Sequence, residues 1–116
     1  MIVSLISNNV AGNRLVQIAN TGRVDEALSD SSSNMPAVAY QVAGAAAGSS
    51  VLCLLEGVVY YNTGGLTIGK PVYCSSLGMP TSTIPTLANH CVQVVGVALS
   101  PKSFIFSPSL DYVVLK

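Results

Sequence analysis

The side chains that could do chemistry in this 116-residue chain are one histidine, three cysteines and five carboxylates. A catalytic nucleophile needs a base beside it, and the adjacent pair here is His90 and Cys91 at the start of a predicted strand. Consecutive strand residues point to opposite faces of a sheet, so these two side chains do not readily share a proton. The carboxylates show no spacing typical of an acid–base pair. The sequence therefore predicts a protein that is not an enzyme.

Cofactor and metal sites are not indicated by the remaining motifs. The cysteines contain no CxxC pair and accompany a single histidine, which is not a zinc-ligand pattern. The glycine-rich stretches 44–48 and 64–70 lack the Lys-Ser/Thr pair of a phosphate-binding loop. We expect no cofactor and no metal. We expect Cys53, Cys74 and Cys91 to be reduced and to pack as small hydrophobic residues.

Charge is scarce in this chain. Only 9% of its residues are charged, and five basic side chains balance five acidic ones, whereas an ordinary soluble domain is about 25% charged. A chain without net charge does not attract a phosphate backbone over long range, so we expect no nucleic-acid partner. A nearly uncharged surface tends to associate. We therefore expect the chain to work as a subunit of a homo-oligomer.

Targeting and membrane segments are not predicted. No window contains eighteen consecutive apolar residues, the length that a membrane-spanning helix needs. The first residues have no basic flank of the kind that begins a secretory signal. We expect no membrane partner, and we expect the protein to stay where it is synthesised.

The polar residues 1–35 differ from the rest of the chain. They hold five of the ten formal charges, and a serine-rich run at 29–34 precedes Pro36. Such a composition is typical of a segment that orders against a partner. We expect residues 1–35 to be an extended N-terminal arm that orders against a neighbouring molecule. The expected contact residues are Arg14, Leu15, Val16, Arg23, Asp25 and Glu26.

Residues 36–116 are predicted to be a separate β-domain. Short apolar runs alternate with glycine- and proline-containing turns, at the spacing expected of a sandwich or barrel. The predicted strands cover residues 37–43, 50–61, 71–75, 91–99, 103–106 and 112–115. The fold class is therefore all-β, a small β-sandwich or barrel of a jelly-roll or β-tulip-like kind. Phe104 and Phe106 share one face of their strand and are expected in the core.

Two predicted strands, 51–61 and 92–99, are apolar on both faces. Strands of a monomeric antiparallel sandwich usually have one polar face, so these strands are either central in the fold or lie against another subunit. The scarcity of charge favours an interface, because contacts within homo-oligomers are more apolar than ordinary surface. The expected interface residues are Leu52, Leu54, Val58, Tyr60, Val95 and Val97.

Several motifs resemble small structural proteins of tailed bacteriophages. In the C-terminal half these are LTIGKPVY at 66–73, GMPT at 78–81 followed by Pro85, QVVGVALS at 93–100 and FIFSPSLDY at 104–112. In the N-terminal part, GNRLVQ at 12–17 and NTGRV at 20–24 are similar to the stretch that precedes such domains in phage fibres. The family is that of capsid decoration, or cement, proteins and related head-fibre domains.

The resemblance implies a virion structural protein on the outer surface of the capsid. It implies a homotrimer that binds the major capsid protein and stabilises the shell by clamping adjacent subunits. It also implies that the arm, residues 1–35, binds the capsid or a neighbouring subunit. Two alternatives remain open. The chain could be the base domain of a head or tail fibre, or it could be a receptor-binding module that contacts a surface glycan through Tyr60 or Tyr61.

Overall fold

The fold is described from a computed structural model that covers residues 1–116. It contains β-strands and one short 3-10 turn at Ser32–Asn34, which confirms the predicted all-β class. The strands are β1 Ile2–Ile6, β2 Arg14–Ile18, β3 Val24–Glu26, β4 Ala39–Gln41, β5 Ser50–Leu54, β6 Gly57–Tyr60, β7 Pro71–Cys74, β8 Pro80–Thr81, β9 Cys91–Val92, β10 Val94–Ser100, β11 Ser103–Phe106 and β12 Val113–Val114. None of its helices is long and apolar enough to cross a membrane.

The first sheet has the strand order β1-β5-β4-β2-β3, and all its pairs are antiparallel. A parallel bridge from Ser7, just after β1, to Val24 at the start of β3 brings the two ends of this sheet together. The sheet therefore curls around its own inner face. Curling of this kind gives the molecule the shape of a half-barrel.

The second sheet has the order β6-β11-β10-β7-β8 and is also antiparallel. The seven-residue strand β10 lies at its centre. A separate pair, β12 with β9, attaches the C-terminal residues to the chain just before β10. Every strand that follows residue 56 thus belongs to the second sheet or to this short pair.

The main core is a cluster of 15 buried residues that includes side chains from both sheets. At its centre Tyr40 from the first sheet meets Phe104 edge-on, with ring centroids 6.0 Å apart. Phe106 packs against both rings. The prediction that Phe104 and Phe106 are core residues is confirmed, since both are fully buried. Buried aromatic side chains contribute strongly to the stability of a core, because each removes a large apolar area from water.

A small core fills the inside of the curled first sheet. It contains six buried residues: Val10, Val16, Val24, Ala39, Val51 and Cys53. Val3 and Leu5 of β1 pack against it and stay partly exposed. The first sheet is therefore covered on one face by its own curled chain and on the other, at Leu15 of β2 and Tyr40 of β4, by the main core.

The expected extended arm of residues 1–35 is not confirmed. These residues supply three strands of the first sheet, of which β1 pairs with β5 and β2 pairs with β4 of the supposed separate domain. Leu15, Val16, Val24 and Ala27 are fully buried. The charges that suggested an arm belong to exposed or half-buried positions between these apolar side chains. Burial of the apolar residues outweighs the polar composition, so the boundary at residue 35 does not separate two structural units.

The predicted strand 50–61 is in fact two strands in different sheets. β5 ends at Leu54 in the first sheet, and β6 starts at Gly57 in the second. Gly57 has φ +148°, a conformation that residues with a Cβ rarely adopt. At this glycine the chain leaves the first sheet and enters the second. The apolar character of both strand faces thus arises partly from a change of sheet.

Candidate interaction surface

The outer face of the second sheet is an apolar surface that no other part of the chain covers. Val58, Ile105, Val97 and Pro71 lie side by side across β6, β11, β10 and β7, each opposite the next in the strand register. Their neighbours on the same side of the sheet are Tyr60, Leu99 and Val94. We call these seven residues the outer face. Val58 and Tyr60 are 67% and 68% exposed, and Val94, Val97, Leu99 and Ile105 are 40–48% exposed.

No member of the outer face is charged, and the residues beside it include Ser103 and the half-buried Tyr73. The opposite side of the same strands carries Val59, Phe104 and Val72, which belong to the main core. A sheet with one solvated face usually alternates apolar and polar residues. Here the face that points outward is as apolar as the face that points inward, which is typical of a sheet that packs against another molecule.

The structure divides the six expected interface residues among three environments. Val58, Tyr60 and Val97 belong to the outer face. Leu52 is 65% exposed but lies on β5 of the first sheet, and Leu54 is partly buried against the main core. Val95 is fully buried. Three of the six residues are therefore available together on one surface.

Val95 lies in the core because β10 contains a bulge. The register of β10 against β7 shifts between Val94 and Gly96, and both Val95 and Gly96 are buried. One extra residue reverses the alternation beyond it. Val97 and Leu99 consequently point outward although they are two and four residues from Val95.

The six expected contact residues of the arm also do not share one accessible surface. Leu15 and Val16 are fully buried and cannot touch a partner directly. Arg14 is half-buried, and its guanidinium donates to the backbone oxygen of Gly12 at 2.8 Å. Asp25 and Glu26 are half-buried in β3, where the Asp25 carboxylate accepts the backbone N–H of Glu26 at 2.9 Å. Arg23 alone among the six is exposed.

An apolar groove opens in the first sheet beside β5. β4 and β5 pair at only two positions, Tyr40–Leu54 and Gln41–Cys53. The chain then turns away, so that Val42 accepts a hydrogen bond from the N–H of Asn13. The resulting groove has a volume of about 590 Å³, and nine of its 12 lining residues are hydrophobic. Exposed Leu52 and Ile2 are among them.

His90 lines a small polar pocket. Its volume is about 250 Å³, and six of its lining side chains are hydroxyls: Ser29, Ser75, Ser76, Thr81, Thr83 and Thr86. The Ser29 hydroxyl is buried and has no hydrogen-bond partner. Cys91 is buried in the main core and does not line this pocket. His90 and Cys91 are therefore in different environments. No group of three or more His, Cys, Asp or Glu side chains comes together as a metal site.

The three cysteines are buried, as predicted, and none is in a disulfide. Burial raises the pKa of the Cys74 thiol to about 12, and neighbouring Cys91 adds to the rise. Burial also raises the pKa values of Cys53 and Cys91. A thiol held in its neutral form is a poor nucleophile. These groups act as structural residues.

The Cys74 pKa predicts that stability falls at alkaline pH. In the unfolded chain this thiol ionises near pH 9.0, whereas in the folded chain it stays neutral up to about pH 12. Its contribution is thus complete below pH 9.0 and is lost as the pH rises through this window, by about 1.4 kcal/mol per pH unit. Urea unfolding at a series of pH values measures this slope. Cys74→Ala should make the slope shallower without abolishing it, because the raised pKa values of Cys53 and Cys91 also contribute, and an unchanged slope in that variant would assign the loss to other groups.

No protein-family model, curated protein or solved structure matches this chain. The assignment of function therefore depends on the surfaces described above. Sequence patterns located Val58, Tyr60 and Val97, but they did not indicate Ile105 or Pro71. The signal for Ile105 was present in its position between Phe104 and Phe106, since a residue between two core positions of a strand must point outward.

Proposed function

We propose that this chain is a structural subunit that assembles with further copies of itself through the outer face. The observation that carries the proposal is the uncharged apolar row Val58–Ile105–Val97–Pro71 across four strands. In a closed ring such as a trimer, each copy contacts the next through surfaces that are repeated around the symmetry axis. An uncharged face suits such a contact, because no like charges are brought together when the copies approach.

The size of the outer face fits the centre of an interface. Four strands spaced about 4.8 Å apart, each contributing about four residues, cover roughly 250 Å². A stable interface buries about 800 Å² on each partner. The outer face would therefore supply the desolvated apolar centre, and the polar residues and loops around it would supply the rim.

Within this class, the role we propose is that of a capsid decoration protein on the outside of a tailed-phage shell, assembled as a trimer. The motifs at 66–73, 93–100 and 104–112 support this setting by resemblance. The motif at 93–100 contains the whole of β10, the central strand of the second sheet. Repeated contacts over a closed shell give high avidity even when each contact is weak, so a subunit of this size needs no deep binding site for the capsid protein.

A charge placed on the outer face is expected to dissociate the oligomer. The double variant Val58→Lys/Ile105→Lys would bring cations together at the centre of the contact, where desolvating a charge is unfavourable. We expect the wild type to sediment as an oligomer and this variant as a monomer with an unchanged circular dichroism spectrum. Leu77→Lys is the matched control, since Leu77 is similarly exposed, at 62%, but lies outside the outer face. A monomeric wild type at all concentrations would refute assembly through this face.

The capsid role has a separate test. Purified virions of the phage that encodes the chain should contain it in a fixed ratio to the major capsid protein, measured by quantitative mass spectrometry. Empty heads mixed with the wild-type protein should pellet it, and they should retain less of the Val58→Lys/Ile105→Lys variant because avidity is lost with the oligomer. Absence of the chain from virions would reject the capsid setting and leave self-assembly to be judged by sedimentation.

The glycan alternative can use Tyr60 but not Tyr61. Tyr60 is exposed on the outer face, whereas Tyr61 is 3% exposed and belongs to the main core. An exposed tyrosine at an apolar face is equally suited to a protein contact. Selective, saturable binding on a glycan array that is lost in Tyr60→Ala would favour the receptor-binding function over assembly.

A further inference from the structure

Strand β1 presents a free edge in the first sheet. Its backbone pairs with β5 on one side only, and on the other side residues 2–6 make no backbone hydrogen bond. The two edges of the curled first sheet meet only beyond the end of β1, at the single bridge between Ser7 and Val24. A row of unpaired N–H and C=O groups is a template for pairing with another strand.

This edge lacks the features that normally prevent such pairing. Proteins protect edge strands with charged side chains, prolines, bulges or very short strands. The edge strand β3 is three residues long and carries Asp25 and Glu26, and the edge strand β8 is two residues long and contains Pro80. β1 has five residues, Ile-Val-Ser-Leu-Ile, and none of these features. Its register with β5 is continuous over all five positions.

The sequence of β1 is nearly symmetric about Ser4. If two copies of β1 run antiparallel with Ser4 opposite Ser4, Ile2 lies opposite Ile6 of the other copy and Val3 lies opposite Leu5. Every cross-strand pair then joins residues of the same character. Directly opposite aliphatic pairs stabilise antiparallel strands, and a twofold axis through Ser4 makes the two halves of the contact identical.

We propose that β1 is a second self-association site, at which two copies pair edge to edge and antiparallel about Ser4. The two first sheets then form one continuous sheet. Ile2 and Ile6, which are 64% and 43% exposed in the single chain, become neighbours across the new strand pair. The groove beside β5, which Ile2 and Leu52 help to line, comes to lie next to the joint and gains apolar contacts from the second copy.

This contact is independent of the outer face, because β1 belongs to the first sheet and the outer face to the second. A chain with both contacts can form a closed oligomer through one surface and connect oligomers through the other. The test is therefore made in the Val58→Lys/Ile105→Lys background, so that the result does not depend on assembly through the outer face.

A cysteine at the symmetry position tests the register directly. Directly opposite residues of antiparallel strands have Cα atoms about 4.5–5.5 Å apart, within reach of a disulfide. We expect Ser4→Cys to give a covalent dimer under mild oxidation. Ser50→Cys is the matched control. Ser50 is also exposed but lies on β5 opposite Ile6, so its two copies would be about 20 Å apart, three strand spacings across and four residues along the strands. The native cysteines are buried.

Charged substitutions of opposite sign at the same residue provide the second measurement. Ser4→Lys and Ser4→Glu should each weaken dimerisation about tenfold, because like charges meet at the axis. An equimolar mixture of the two variants should associate more tightly than either alone. The proposal is overturned if Ser4→Cys stays monomeric on a non-reducing gel, if Ser50→Cys cross-links equally well, or if the mixture associates no better than its components.

Discussion

Replacing Gly96 by alanine is expected to prevent the chain from folding to a stable second sheet. A Cβ at this position would lie 1.8 Å from the backbone oxygen of Ile105 and 2.9 Å from its carbonyl carbon. Gly96 pairs with Phe106 on one side and with Val72 on the other. The clash is with backbone, so it can be relieved only by separating β10 from β11. We expect a loss of about 4 kcal/mol or more in the free energy of unfolding.

Denaturant unfolding followed by circular dichroism measures this effect. Val97→Ala is the matched control, since it changes the next residue of the same strand at a position that is 43% exposed. Its effect should stay within about 1 kcal/mol. A soluble Gly96→Ala protein with the stability of the wild type would contradict the close approach of β10 and β11. The result concerns function as well, because β10 and β11 carry Val97 and Ile105 of the outer face.

The fold class and several strands could be predicted because their signals are local. The strand at 103–106 matches β11, and 71–75 matches β7 to within one residue. Strand formers between glycine and proline turns are sufficient for such assignments. The outward position of Val58 and Tyr60 also follows from alternation along a short strand. These predictions require no knowledge of which strands are neighbours.

The features that the sequence did not predict depend on contacts between distant parts of the chain. Gly57 interrupts what the sequence presents as one apolar strand, and the bulge beside Val95 reverses the alternation in β10. Residues 1–35 are polar on average, yet Leu15 packs in the main core and Val24 in the small core. Mean composition does not distinguish an arm from a segment whose strands bury part of their apolar residues in a core. The edge of β1 could be recognised only once its single partner, β5, was known.

Replacing Gln93 by leucine is expected to release the C-terminal segment and to destabilise the whole fold. The Gln93 amide is 1% exposed and binds two separate segments. Its Oε1 accepts the N–H of Ala37 at 2.8 Å, and its Nε2 donates to the backbone oxygens of Ala37 at 2.9 Å and Ser109 at 2.6 Å. Leucine would fill the space but would leave the N–H and the carbonyl oxygen of buried Ala37 without partners and would free the carbonyl oxygen of exposed Ser109.

Each buried polar group without a partner costs about 1–3 kcal/mol, so Gln93→Leu, which removes the partner of two such groups, should lower the free energy of unfolding by about 2–6 kcal/mol. Gln17→Leu is the control, because the nearly buried Gln17 side chain makes one hydrogen bond, to Asn34 at 3.3 Å. Hydrogen exchange distinguishes local release of the C-terminal segment from uniform destabilisation of the whole fold. Gln93 holds Ser109, so amides of residues 109–116 should lose protection before those of β11. Equal destabilisation by the two variants, or uniform loss of protection, would show that Gln93 does not anchor the C-terminal segment.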